Sequence, residues 1–275
     1  MIKVLVDSGS SIKYDEALKY DVEIIPLKIL LGDKEYLDDG KDLTLDIFYD
    51  FLMNNKTFPK TSLPSFVDVE KRVNEITKED DVIILTISSQ ISSTYNTFKT
   101  MFESNKRVKV IDSMCAVGGM RLIVDLINRN KDKTLDEIEK LVIDFIPHIR
   151  IMAIPETLHY LLKGGRLSKT EWLIGSILQI KPTIGFKNGK VKVVNKTRGI
   201  KKGMKEIIEA LDELEVDDSY DIIASYTYND SNLKELVDMT PDKYKPLVKV
   251  YDNLDPAIAA HWGPNAFGYI FVSKK

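Results

Sequence analysis

Short, mostly apolar runs alternate with amphipathic stretches along the first half of the chain. Ile2 to Val6, Val82 to Ile87 and Val108 to Ile111 are rich in β-branched residues and read as buried strands. Val22 to Leu31 reads as one extended segment closed by a Gly32-Asp33 turn. Helices are expected around Tyr14 to Lys19 and Leu43 to Met53. Val117, Met120, Ile123, Val124 and Ile127 recur at helical spacing, as do Leu135, Ile138, Leu141, Val142 and Phe145. Ser65 with Asp68 resembles a capping box for a helix through Val69 and Val73. Strands alternating with helices of this length imply parallel βαβ units, placed in a first domain at residues 1–150.

The second half, residues 151–275, has another rhythm. Ile184 and Phe186, then Asn188-Gly189, then Val191 and Val193 signal a hairpin, so its sheet is expected to be mixed. Ile200, Met204, Ile207, Ile208, Leu211 and Leu214 mark one amphipathic helix. Ile222 to Tyr226, Leu247 to Tyr251 and Phe267 to Val272 read as strands. The expected class is α/β: two α/β domains, the first with a mostly parallel sheet and flanking helices, the second with a mixed sheet and helices.

Composition narrows the function classes. The chain has 275 residues, 44% of them hydrophobic, enough for a large core. Its net charge is −3 and no dense Lys/Arg stripe stands out, so no nucleic-acid partner is expected. Lys201-Lys202 and Lys274-Lys275 read as solvated faces. A single cysteine, Cys115, allows no internal disulfide and fits a reducing compartment. The opening Met-Ile-Lys-Val-Leu-Val-Asp is too short an apolar stretch for a signal peptide. The run from Trp172 to Ile180 is about half of what a membrane span needs. A soluble, cytoplasmic protein is expected, with at most transient membrane contact. His148, His159 and His261 lack metal-ligand spacing, and no metal or cofactor is expected. There is no G-x-S-x-G elbow and no Walker loop, and no residue is assigned a catalytic role.

Hydroxyl-rich turns are the candidate chemistry. The first strand runs into Asp7-Ser8-Gly9-Ser10-Ser11, the Val82 strand into Ser88-Ser89-Gln90-Ile91-Ser92-Ser93-Thr94, and the Val108 strand into Asp112-Ser113. In a parallel sheet these turns share the carboxyl edge, where open α/β sheets bind ligands. Thr61-Ser62-Leu63-Pro64-Ser65 leads into a helix start. Helix starts offer unpaired N–H groups and partial positive charge, and hydroxyls add neutral donors, so a carboxylate or phosphate is the matching ligand. Ordinary N-capping accounts for any one of these clusters taken alone. The pattern does not name the ligand, and an enzyme acting on a small phosphorylated or carboxylated metabolite is an alternative reading.

Six segments, in order, resemble the DegV family over essentially the whole chain. They are the Asp7-Ser8 turn with Ile25-Pro26-Leu27, Thr61 to Ser65, Ser88 to Tyr95, Asp112-Ser113, Leu158 to Ser168 with its Lys163-Gly164-Gly165-Arg166, and His261 to Gly268. The resemblance implies two α/β domains holding a long-chain fatty acid such as palmitate between them. It also implies a separate kinase protein that phosphorylates the bound carboxyl group, the chain itself being no enzyme. Carried over by motif, the carboxyl contacts fall on Thr61, Ser62, Ser92 and Ser93, with His261 nearby, and Arg166 and Arg198 are candidates for phosphate or partner contact. Leu63 replaces the family's Gln, Ser93 a Gly and Asn265 a Gly, the last at a position where φ > 0 would suit Asn.

The physics is compatible with a lipid carrier. About 14 buried methylenes at about 0.8 kcal/mol each supply roughly 11 kcal/mol of gross driving force, from which association and ordering are subtracted. A polar clamp then directs the carboxylate, which is not buried without partners. Trp172, Ile174, Ile177, Leu178 and Ile180 are candidate tunnel walls, with core packing the more common use of such residues.

Overall fold

The computed structural model describes residues 1–55, 57–170, 180–250 and 253–275. They divide into two units. Met1–Pro147 with Asp255–Ala257 forms one, and His148–Leu254 with Ile258–Lys275 the other.

The first unit contains, in chain order, β1 (Ile2–Asp7), α1 (Ala17–Tyr20), β2 (Val22–Ile25), β3 (Lys28–Leu31), β4 (Lys34–Leu37), α2 (Leu45–Asn54), β5 (Lys60–Ser62), α3 (Phe66–Ile76), β6 (Asp81–Thr86), α4 (Thr94–Met101), β7 (Val108–Asp112), α5 (Gly118–Asn128) and α6 (Leu135–Phe145). Four strands form a sheet in the order β2-β1-β6-β7, and every pairing is parallel. Val82, Ile83, Ile84 and Leu85 in β6 are fully buried, so both faces of this strand are covered. That is why its sequence is a continuous apolar run and not an alternation. Val69, Val73 and Ile76 of α3 join Phe98 of α4 in one core with Leu5, Val82 and Ile84.

Two local expectations are corrected. The stretch from Val22 to Leu31 is two strands in two sheets. Pro26, which has no N–H to give a ladder, separates β2 in the parallel sheet from β3 in an antiparallel β4-β3-β5 sheet. Ser65 stands at the N-cap of α3, but its side chain makes no capping bond. Asp68 is one methylene shorter than the Glu of a capping box. A full capping box occurs instead at α6, between Thr134 and Glu137.

The second unit contains β8 (Ile149–Ile154), α7 (His159–Lys163), β9 (Ile180–Lys187), β10 (Lys190–Arg198), α8 (Ile200–Glu213), β11 (Ile222–Tyr226), α9 (Ser231–Met239), β12 (Val248–Val250), α10 (Pro256–Trp262) and β13 (Phe267–Val272), the first residues of α10 counting with the other unit. Its six-stranded sheet runs β10-β9-β8-β13-β11-β12. Only β11 and β12 pair in parallel, so the sheet is mixed. The β9–β10 turn has Asn188 at φ 51° and Gly189 at φ 74°, the two positive angles that a type I′ hairpin needs. Met204, Ile207 and Leu211 of α8 pack with Tyr269 and Phe271 of β13. Tyr269 is tolerated there because its hydroxyl hydrogen-bonds Thr240 Oγ1 at 2.8 Å.

Candidate functional site

The turns after β1, β6 and β7 lie on one edge of the parallel sheet and are hydrogen-bonded to one another. Asp7 accepts from Gly9 N (3.0 Å) in its own turn and from Ile87 N (2.8 Å) at the end of the next strand. Asp112 accepts from Ser89 N at 3.1 Å, and Val117 N donates to Gly9 O at 2.7 Å. Burial pushes the Asp7 carboxyl up to about 7 despite the two N–H donors that oppose the shift. Asp7 is thus a brace between strand ends, with both oxygens engaged inside the fold.

Ser8 extends this edge to the small antiparallel sheet. Its hydroxyl donates to Asp38 Oδ2 at 2.7 Å and accepts from Leu27 N at 3.1 Å. Asp38 also accepts from Ala257 N at 3.3 Å. Burial, together with the nearby Asp255 carboxyl, raises Asp38 well above the usual carboxylate range. Asp255 is paired with Lys13. Nothing in the sequence pattern singled out Asp38 or Asp255. Their signal is tertiary, because Ser8 is 30 positions from Asp38 and Lys13 is 242 from Asp255.

The expected carboxyl contacts fall on two elements of this unit. Thr61 is in β5, opposite Ile29, and is half-buried; Ser62 beside it is exposed. Ser92 is half-buried just before α4. Its hydroxyl shares a 2.8 Å hydrogen bond with Thr94 Oγ1 and accepts from Thr94 N at 3.3 Å. Ser93, at the N-cap, is exposed and makes no side-chain capping bond. The Ser8–Asp38 link ties the sheet that carries Thr61 to the edge that carries Ser92.

A pocket of about 210 Å³ lies in the same unit, walled mainly by Leu5, Ile24, Ile25, Pro26, Pro64 and Val69, with Glu23, Asp68 and Arg72 also lining it. Arg72 holds Glu23 through two bonds of 2.7 and 2.6 Å. Pro64 is three residues beyond Thr61, so this wall is within about 10 Å of Thr61 along the chain.

In the second unit the structure joins two distant motifs. His261 is on α10, and its ring lies against Gly164 at the end of α7, where a β-carbon would come within 2.8 Å of Cε1 and overlap Nδ1. Gly263, at φ 73°, lies against Tyr160 just as closely; a β-carbon there would be 2.6 Å from Cε2. Thr227 fixes the loop that follows α10. Its hydroxyl donates to Gly263 O at 2.6 Å and accepts from Ala266 N at 2.9 Å. Asn265 has φ 61°, the left-handed angle at which Asn substitutes for Gly most easily. Burial, reinforced by the Arg166 guanidinium, pushes the His261 imidazole down to about 3. Arg166 is half-buried and donates to Gly164 O. Arg198 is elsewhere, exposed at the end of β10.

Trp172, Ile174, Ile177 and Leu178, the candidate wall residues, lie outside the described residues. Among the described residues, no cluster of His, Cys, Asp and Glu could hold a metal ion. Nor is any helix among them long and apolar enough to cross a membrane. Burial raises the Cys115 thiol to about 12, so it is no nucleophile at neutral pH.

The family model described as "Uncharacterised protein, DegV family" matches residues 1–274. The chain is similar to a DegV domain-containing protein of Clostridium acetobutylicum, with 30% identity covering 99% of each chain. It is 29% identical to a fatty acid-binding protein of Thermotoga maritima, over 98% of this chain and 96% of the other. Among solved structures, a fatty acid binding DegV family protein from Streptococcus agalactiae superposes with a TM-score of 0.88 at 26% identity, covering 100% of this chain and 99% of that one.

Proposed function

Because this chain belongs to the DegV family, we propose that it binds one long-chain fatty acid, with Thr61 and Ser92 as hydrogen-bond partners of the carboxylate. The observation that carries this reading is the set of braced hydroxyl turns on one sheet edge, in a chain whose solved relatives bind fatty acids by name. Hydroxyls and the N-terminal end of a helix suit a carboxylate, since they supply donors without a competing charge. Ser62 and Ser93 are exposed neighbours and make secondary contacts. The neutral imidazole of His261 offers one further donor. The apolar pocket beside Pro64 is smaller than the roughly 300–1,000 Å³ of a typical ligand site. It takes part of the acyl chain, not all of it.

The protein presents the carboxyl group and does not transform it. Asp7, whose carboxyl burial raises to about 7, has both oxygens held by backbone N–H groups and is not poised as a base. A separate kinase then phosphorylates the carboxylate, with Arg166 and Arg198 contacting that partner or the acyl phosphate. Delipidated protein offered palmitate is the test. Native mass spectrometry should show one bound acid per chain, and absence of any lipid adduct overturns the reading. Acyl-phosphate formation with a purified cognate kinase tests the presentation step separately.

A further inference from the structure

A run of exposed cations follows β10 and the first turns of α8. Between Lys187 and Lys205 the chain has no Asp or Glu. Lys187, Lys190, Lys196 and Arg198 are exposed, as are the three lysines of the first turns of α8. This in a chain of net charge −3 is a local excess, spaced too loosely along the sequence to stand out as a stripe. Lys201 pairs with Glu235 at 3.2 Å.

Three observations say what kind of partner fits. First, β10 ends the six-stranded sheet, and among the described residues β9 is its only strand neighbour. At 9 residues it is a long edge strand; about 5–6 is usual. Lys196 N–H on this strand already bonds to Asn195 Oδ1 at 2.7 Å, and an added extended chain would pair with the outward groups along the rest of the edge. Second, the register shifts between Val193 and Asn195. Before the shift Lys190 and Lys192 stand opposite Lys187 and Gly185; after it Lys196 and Arg198 stand opposite Pro182 and Ile180. Since paired residues share a face and faces alternate along β9, the two pairs of cations point to opposite faces. A flat bilayer would meet one face only, whereas a strand approaching edge-on is flanked by both. Third, Val194 at the bulge is 48% exposed, an apolar contact in the middle of the charged edge.

Lysines on an edge repel a like-charged strand, which is how edges avoid self-association. The same charges admit a strand of opposite sign. The geometry points to this edge as a docking site for an acidic, extended segment of a partner protein, which adds to the sheet as a further strand. The site rests on the β10 edge and not on the lipid reading, with which it shares Arg198 alone.

The test uses the full chain and two fluorescent peptides of about eight residues, one alternating Glu and Val, the other with the same charge but Pro in place of Val, which cannot pair as a strand. The Glu-Val peptide should bind, roughly tenfold or more tighter than the Pro peptide, and more weakly as salt rises. Amide exchange of β10 should slow on binding. Lys190→Glu with Lys196→Glu should abolish binding, while Lys190→Gln with Lys196→Gln weakens it, both variants keeping the wild-type circular dichroism spectrum. Equal affinity for the two peptides, no binding of either, or unchanged β10 exchange overturns the proposal. So does tighter binding to phosphatidylglycerol vesicles than to the Glu-Val peptide.

Discussion

The imidazole of His261 occupies the space that a β-carbon at residue 164 would need, so the Gly-Gly-Arg motif and the C-terminal His-x-Gly-Pro motif form one packed element. Gly164 has φ −70°, an angle open to any residue, so what requires glycine there is the histidine ring and not the backbone. Gly164→Ala should displace the ring and destabilise the protein by about 1–3 kcal/mol, the usual consequence of overpacking. Urea denaturation measures the loss. Gly165→Ala meets no neighbour within 4 Å but carries φ 74°, so its effect is backbone strain alone, of about 1 kcal/mol.

His261 should remain neutral in the ligand-free protein throughout the physiological range, because burial and Arg166 hold its pKa near 3. The unfolded value is about 6.5, so this group's contribution to stability is fully present above that pH and is lost as pH falls toward 3. A carboxylate bound beside it would favour the protonated ring and raise the pKa. NMR titration of the ring should therefore show an upward shift with saturating palmitate. An identical pKa in both states removes His261 from the ligand's surroundings.

Thr61→Ala and Ser92→Ala should each weaken fatty-acid binding by about 1.5–3 kcal/mol, the range for a hydrogen bond to a charged group. The two differ in their effect on stability. Ser92 also accepts from Thr94 N at the start of α4, so its loss adds the cost of a weakened helix start, about 1 kcal/mol. Titration with a fluorescent fatty acid, beside thermal melting of each variant, separates the two contributions.

Asp7 should titrate near neutrality, its pKa raised to about 7 by burial. The ordinary value is 3.8, so the protein binds an extra proton relative to the unfolded chain between those two pH values. Stability from this group is complete at low pH and declines as pH rises through 7. Asp7→Asn, which cannot ionise, should lose less stability between pH 5 and pH 8 than the wild type. Parallel urea titrations of the two proteins decide it, and equal slopes would contradict the raised pKa.

Filling the pocket tests its part in holding the acyl chain. Val69→Phe places a larger side chain between α3 and the sheet. Palmitate affinity should fall roughly tenfold, about 1.4 kcal/mol, with a smaller change for a short-chain acid. Competition titrations with acids of two lengths measure the difference.

Much of this architecture is local and was legible in the chain. β6 is a run buried on both faces, and burial of that kind writes itself as unbroken hydrophobicity; β1 and β7 are mostly apolar runs, each interrupted by one half-buried lysine, Lys3 and Lys109. The β9–β10 hairpin was marked by Asn188-Gly189, whose positive φ angles are a property of those two residues. The placing of the hydroxyl turns on one edge followed from the parallel connections alone. Other elements left weaker marks. β8 reads Ile-Arg-Ile-Met-Ala-Ile and is only partly buried, so neither alternation nor an apolar run announced it. α10 left no amphipathic stripe in the sequence, because its buried positions include the small residues Ala257, Ala259 and Ala260.

What the sequence by itself determined is therefore the class of fold, the strand ends where polar turns gather, and the motifs that mark the family. Tertiary structure alone decided which of those motifs touch. That Asp7 braces Ile87, that Ser8 reaches Asp38, that His261 packs on Gly164 and that the cations of β10 divide between two faces all depend on residues brought together across the fold. The physical reason is that propensity and periodicity act over a few residues, whereas burial, hydrogen bonding and charge act over a few ångströms.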